Sequence, residues 1–78
     1  MPTVFRFGPY RFFFYAGDKS EPPHIHIERE DKTAKFWLVP VRLHNSRGLT
    51  LREINKLHKV VEHNRENFLR VWHEYFND

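Results

Sequence analysis

The chain has 78 residues, room for one domain, and a chain this short buries only about 60% of the surface its unfolded form exposes. Thirteen Lys and Arg against ten Asp and Glu leave a net charge of +3. With no cysteine, neither a disulfide nor a thiolate metal site is available. Eight Phe, three Tyr and two Trp supply the apolar area a small core needs and argue against disorder.

The charge is uneven. Residues 1–48 hold eight Lys/Arg and five Asp/Glu, whereas residues 49–78 hold five of each, so an anionic partner is expected to meet the first part of the chain. No apolar run approaches the roughly 20 residues of a membrane helix. The start Met1-Pro2-Thr3-Val4 lacks the charged and apolar regions of a signal peptide. A cytoplasmic location without membrane contact is the expectation, and the missing cysteines fit a reducing compartment.

In chain order, Thr3–Phe7 is β-branched and aromatic and reads as a strand, closed by a Gly8-Pro9 turn. Tyr10–Tyr15 is too aromatic to alternate and predicts a central strand covered on both faces. Ala16–Pro23 reads as a polar loop turning at Gly17-Asp18. His24–Arg29 then alternates strictly, with Ile25 and Ile27 on one side and His24, His26 and Glu28 on the other. Glu30-Asp31-Lys32 forms a hairpin turn without glycine. Thr33–Val39 alternates again, placing Ala34, Phe36 and Leu38 opposite Lys35, Trp37 and Val39. Pro40 ends that strand, Val41-Arg42-Leu43 adds a short edge strand, and Asn45–Gly48 is an exit loop.

From Leu49 onward nothing breaks a helix. Thr50-Leu51-Arg52-Glu53 is a capping box. Leu51, Ile54, Leu57, Val61, Phe68, Trp72 and Phe76 recur at helical spacing. One helix over 50–77 would be about 40 Å long, so a break near His63-Asn64 is expected, with Asn64 capping the second segment. An uninterrupted helix projecting into a homodimer is the alternative. The expected fold is α+β: a single domain over residues 1–78, with an antiparallel sheet of four or five strands in 1–48. A C-terminal helical segment in 49–78, one bent helix or two, packs on one face. The Ile25/Ile27/Ala34/Phe36/Leu38 face is expected to meet Leu51, Ile54, Leu57, Val61 and Phe68. That would leave His24, His26, Glu28, Lys35 and Trp37 free on the other.

The sharpest motif is Pro22-Pro23-His24-Ile25-His26-Ile27-Glu28, in which two prolines stiffen the entry to a strand that sends two imidazoles and a carboxylate to one side. Three readings compete. His24 and His26 could be an acid/base pair for metal-independent RNA phosphodiester cleavage, with Lys35, Arg11 or Arg42 stabilising the phosphate. They could ligate a metal such as zinc, with a third ligand from His44, His63, Glu28 or Asp18. Or they could be structural, or mediate contacts with another protein. Arg6, Arg11, Lys35 and Arg42 beside aromatic strands could also hold single-stranded RNA, or simply snorkel at the rim of the core. Trp72 and Tyr75 lie among more ring area than one helix can hide, which makes them candidates for a partner interface. There is no P-loop, Gly-rich dinucleotide loop, G-x-S-x-G or zinc-finger spacing, so no cofactor is expected.

The aromatic strand Phe12-Phe13-Phe14-Tyr15 and above all Pro22-Pro23-His24-Ile25-His26-Ile27-Glu28 resemble the family catalogued as domain of unknown function 4160. So do the Met1-Pro2-Thr3-Val4 start and the tail segments Pro40-Val41-Arg42-Leu43, Glu62-His63-Asn64-Arg65 and Phe68–Phe76. The resemblance covers nearly the whole chain and brings no established activity. It implies a small prokaryotic protein often encoded beside a second small protein in toxin–antitoxin-like pairs. A protein partner from the adjacent gene and a role directed at RNA follow as expectations. The residues it carries over are His24, His26 and Glu28.

Overall fold

A computed structural model describes residues 3–77; the Met1-Pro2 start lies outside them. Five strands, β1 (Thr3–Phe7), β2 (Tyr10–Phe13), β3 (His24–Arg29), β4 (Lys32–Leu38) and β5 (Val41–Arg47), form one antiparallel sheet in sequential order. Helices α1 (Leu51–His63) and α2 (Arg65–Phe76) follow and pack on one face. This is the α+β arrangement expected from the period change near residue 49.

Tight turns set the register. Gly8, at φ +56°, opens the two-residue link that closes on Phe7 opposite Tyr10. Glu30 takes φ +57° in the β3–β4 turn, where a glycine would sit with less cost. The β4–β5 link is Val39-Pro40, with a cis peptide between them. Ile25, Ile27, Ala34, Phe36 and Leu38 are buried with Phe12, Phe14, Leu57, Val61, Phe68, Trp72 and Phe76. Phe12 and Phe68 lie 5.7 Å apart, and Phe5 meets both edge-on. The alternating strand pattern therefore chose the correct inner face.

The capping box forms as expected. The Glu53 amide donates to Thr50 Oγ1 at 3.1 Å, and Glu53 Oε1 accepts from the Thr50 amide at 3.0 Å. The helical stretch does divide at Asn64, but Asn64 caps the first segment. Its side-chain amide donates to the Val60 carbonyl at 2.9 Å and makes no cap to α2.

Four expectations need correction. Leu51 is 72% exposed, because it lies six residues before Leu57, about 120° round the helix; Leu49 and Ile54 take the contact instead. β2 ends at Phe13, two residues early, where the chain turns into a 3-10 helix over Ala16–Ser20 in place of a simple loop. β5 runs to Arg47, well past Leu43: its polar second half is an open edge wet on both sides, which hides it from pattern reading. Trp72 is 2% exposed and belongs to the core, wedged against Phe14 and Phe76; of the two proposed contact rings only Tyr75 is exposed.

Candidate functional site

The sheet has one face without helices. Register places Arg6, Arg11, Glu28, Thr33 and Arg47 side by side across it. Phe13, His26, Lys35 and Asn45 make the next row, and His24, Trp37 and Arg42 the third. Five of these side chains are cations and one, Glu28, is an anion on the strands. The row ends differ in access. Arg6, Arg42 and Arg47 are exposed; Glu28, Lys35 and Trp37 are half-buried; Phe13 is covered by Tyr15 and by the Arg11 guanidinium, 4.4 Å above its ring. Arg11 also reaches Glu28 at 3.3 Å. The Lys35 ammonium pairs with Glu21 and sits 4.8 Å from the Trp37 ring, which also meets His44 edge-on at 5.0 Å. A concavity of about 310 Å³ opens on this face, walled by Phe13, Tyr15, His26, Lys35 and Asn45.

The motif histidines do share a side of β3, but they are not equally accessible. His24 is fully buried, which corrects the expectation of two imidazoles at an open surface. It stands at the start of β3, with the Trp72 ring at 5.1 Å and the Trp37 ring at 5.6 Å. An imidazole without accessible surface cannot touch a phosphodiester docked on the face. The acid/base couple of His24 with His26 therefore lacks one of its members there. His26 is half-buried, stacked on Phe13 and edge-on to Tyr15.

What joins the two rings is Asp18, which sequence reasoning named only among four options for a third ligand. The 3-10 helix places it. The Tyr15 amide donates to Asp18 Oδ2 at 2.8 Å and the Asp18 amide donates to the Tyr15 carbonyl at 3.1 Å, so the carboxylate is aimed back at β3. His26 Nε2 lies 3.1 Å from Asp18 Oδ2, and His24 Nε2 lies 3.2 Å from Asp18 Oδ1. The three donor atoms fall within 4.8 Å of one another. His44 lies beside Trp37 and His63 at the end of α1, and Glu28 pairs with Arg11, so none of them joins this cluster.

Electrostatics follow the geometry. Burial pushes the Asp18 carboxyl up, yet the Tyr15 amide and the two imidazoles outweigh it and hold the group below its ordinary value. Burial pushes His26 down and the Asp18 charge restores only part, so the ring is held below its ordinary value. Glu21 is held low by the Lys35 ammonium. A second polar junction ties α1 to the sheet. The Tyr10 hydroxyl donates to Glu53 Oε2 at 2.7 Å, and the Arg29 guanidinium lies 3.2 Å from the same oxygen.

A five-stranded antiparallel sheet with two helices on one face and an Asp-His-His cluster at the edge of the other defines a small α+β protein. The chain belongs to the family described as Domain of unknown function (DUF4160), whose model matches residues 10–73, a span that holds the whole cluster. No curated protein and no solved structure matches it. No helix among the described residues is long and apolar enough to cross a membrane.

Proposed function

We propose that the protein is a binding component of a toxin–antitoxin-like two-gene module, with single-stranded RNA as the ligand of its bare sheet face. The observation that carries this reading is the register itself. It lines Arg6, Arg11, Lys35, Arg42 and Arg47 across one uncovered surface together with Trp37 and, at its rim, Tyr15. Phosphates favour such a row of cations, and unpaired bases stack on rings whatever their sequence. The concavity between Tyr15, His26 and Lys35 is the size of a small-ligand pocket and suits one splayed base. A duplex hides its base faces and would use only the charge.

The two-gene context rests on the family resemblance, and its protein partner is the product of the adjacent reading frame. Binding, not cleavage, is the activity in this reading, since His24 has no accessible surface. The test is fluorescence anisotropy with a labelled single-stranded oligoribonucleotide and a duplex of equal length. The expected result is preference for the single strand, with weaker binding by Trp37→Ala and Arg42→Gln. Equal affinity for both ligands, or no effect of Trp37→Ala, would overturn the stacking reading. Co-expression with the adjacent gene tests the module: the expected result is a stoichiometric complex, and separate elution of the two proteins would reject it.

A further inference from the structure

The geometry points to a divalent-metal site of the zinc type formed by Asp18, His24 and His26, independent of any RNA reading. The argument starts from a tautomer. His24 Nδ1 lies 2.8 Å from the Pro22 carbonyl oxygen, and a carbonyl only accepts. Nδ1 therefore carries a proton and donates it. In the neutral ring Nε2 is then left with a bare lone pair. That atom is buried, has no hydrogen-bond partner, and faces Asp18 Oδ1 at 3.2 Å. Two acceptors cannot face each other at that distance in the interior without something positive between them.

A proton would satisfy one such pair. Here a second imidazole converges on the same carboxylate, with His26 Nε2 at 3.1 Å from Oδ2. Two nitrogens and one oxygen within 4.8 Å match what one cation gathers. Around a tetrahedral ion with bonds near 2.1 Å, donors sit roughly 3.4 Å apart, so small side-chain rotations close the set. The outer shell is in place as well. Metal-bound histidines commonly donate their other ring nitrogen to a backbone carbonyl, as His24 does to Pro22. Likewise the carboxylate is fixed from behind by the Tyr15 amide.

Three protein ligands leave at least one position open, as in exchangeable and catalytic zinc sites and unlike closed structural ones. Two histidines and one carboxylate are borderline donors that suit Zn(II), Co(II) or Fe(II) and disfavour Mg(II) and Ca(II). Ligation would also clip the 3-10 helix to β3, since Asp18 comes from one and both histidines from the other.

The test uses the full chain without a histidine tag, stripped with chelator and titrated with Zn(II), then with Co(II). Expected are one equivalent of Zn(II) bound, a raised melting temperature, and a visible d–d band with Co(II). Asp18→Asn and His26→Ala change half-buried positions, so both should stay folded by circular dichroism. Each should lose at least about 10-fold in affinity, the upper effect of ligand loss being larger than that of outer-shell changes. Folded wild type that takes up no Zn(II) would overturn the proposal. So would uptake undiminished in both variants, which would put the ion on other histidines.

Discussion

The charge of the bare face makes a quantitative prediction. Arg6, Arg42 and Arg47 project from β1 and β5 without an ion pair among the described residues, whereas Arg11 and Lys35 face Glu28 and Glu21. Each phosphate neutralised on a single strand contributes about 0.7 to the slope of log K against log salt. Three contacts give a slope near −2, and recruiting the two paired cations gives about −3.5. Between 50 and 200 mM salt, affinity should then fall by roughly 20- to 130-fold. Replacing Arg6, Arg42 and Arg47 together by Gln should flatten the slope by about 2 units. The exposed positions of all three keep the fold out of the experiment. The assay is anisotropy of labelled RNA over a salt series, with circular dichroism of the variant as the control. A slope unchanged in the triple variant would refute the placement of the phosphates on this face, whatever the affinity.

Other outcomes test the structure. Trp72→Ala should cost about 3–5 kcal/mol by urea denaturation, while Tyr75→Ala should cost under about 1, since Trp72 is buried between Phe14, Phe76 and His24 whereas Tyr75 only flanks Phe14 and Phe76 from an exposed position; equal effects would contradict the packing of α2. Gly48→Ala should destabilise by more than about 1 kcal/mol, because Gly48 is at φ +82° and an added Cβ would meet Lys32 Cγ at 2.8 Å, whereas Gly17→Ala meets nothing and should be neutral or stabilising. Glu53 is held below its ordinary pKa by the Thr50 amide and then the Tyr10 hydroxyl, so the stability it contributes is present above pH about 4.5 and is lost as pH falls through its lower folded value. Glu53→Gln should therefore be less stable than wild type at pH 7 and should narrow that gap on acidification; a gap constant with pH would show that the carboxylate charge contributes nothing.

Local rules reached the sheet and stopped at the cluster. Period-2 alternation in Ile25–Ile27 and Ala34–Leu38 fixed which face is buried, and the Thr50 capping box fixed where α1 begins, because each is decided within a few residues. His24 misled for a different reason. It alternates with Ile25, so period 2 assigns it to the bare face, and it does point there. Its burial is completed by Trp72, which arrives 48 residues later from α2, and no local pattern encodes that. Asp18 is similar: its turn was legible in Gly17-Asp18, but that the turn folds back over β3 depends on hydrogen bonds to Tyr15 that composition does not announce. The half-polar β5 was cut short because Asn45-Ser46-Arg47 reads as loop, although pairing with Thr33, Ala34 and Lys35 holds it extended.

One carboxylate connects the two surfaces of interest. Asp18 fixes Tyr15 through the backbone and meets His26 through the side chain, and those two residues, in edge-on contact, both line the concavity on the bare face. Its third neighbour, His24, sits against Trp72, so the same group touches the helical core. A cation at this point would tie the 3-10 segment to β3 beneath Trp72. This makes Asp18→Asn the most discriminating single change. Asparagine keeps the volume and one acceptor for the Tyr15 amide but removes the charge that faces His24 Nε2. If the cluster is only a structural hydrogen-bond junction, melting temperature should fall equally with and without Zn(II). A metal site makes the cost larger in the presence of Zn(II), because the wild type alone gains from binding the ion.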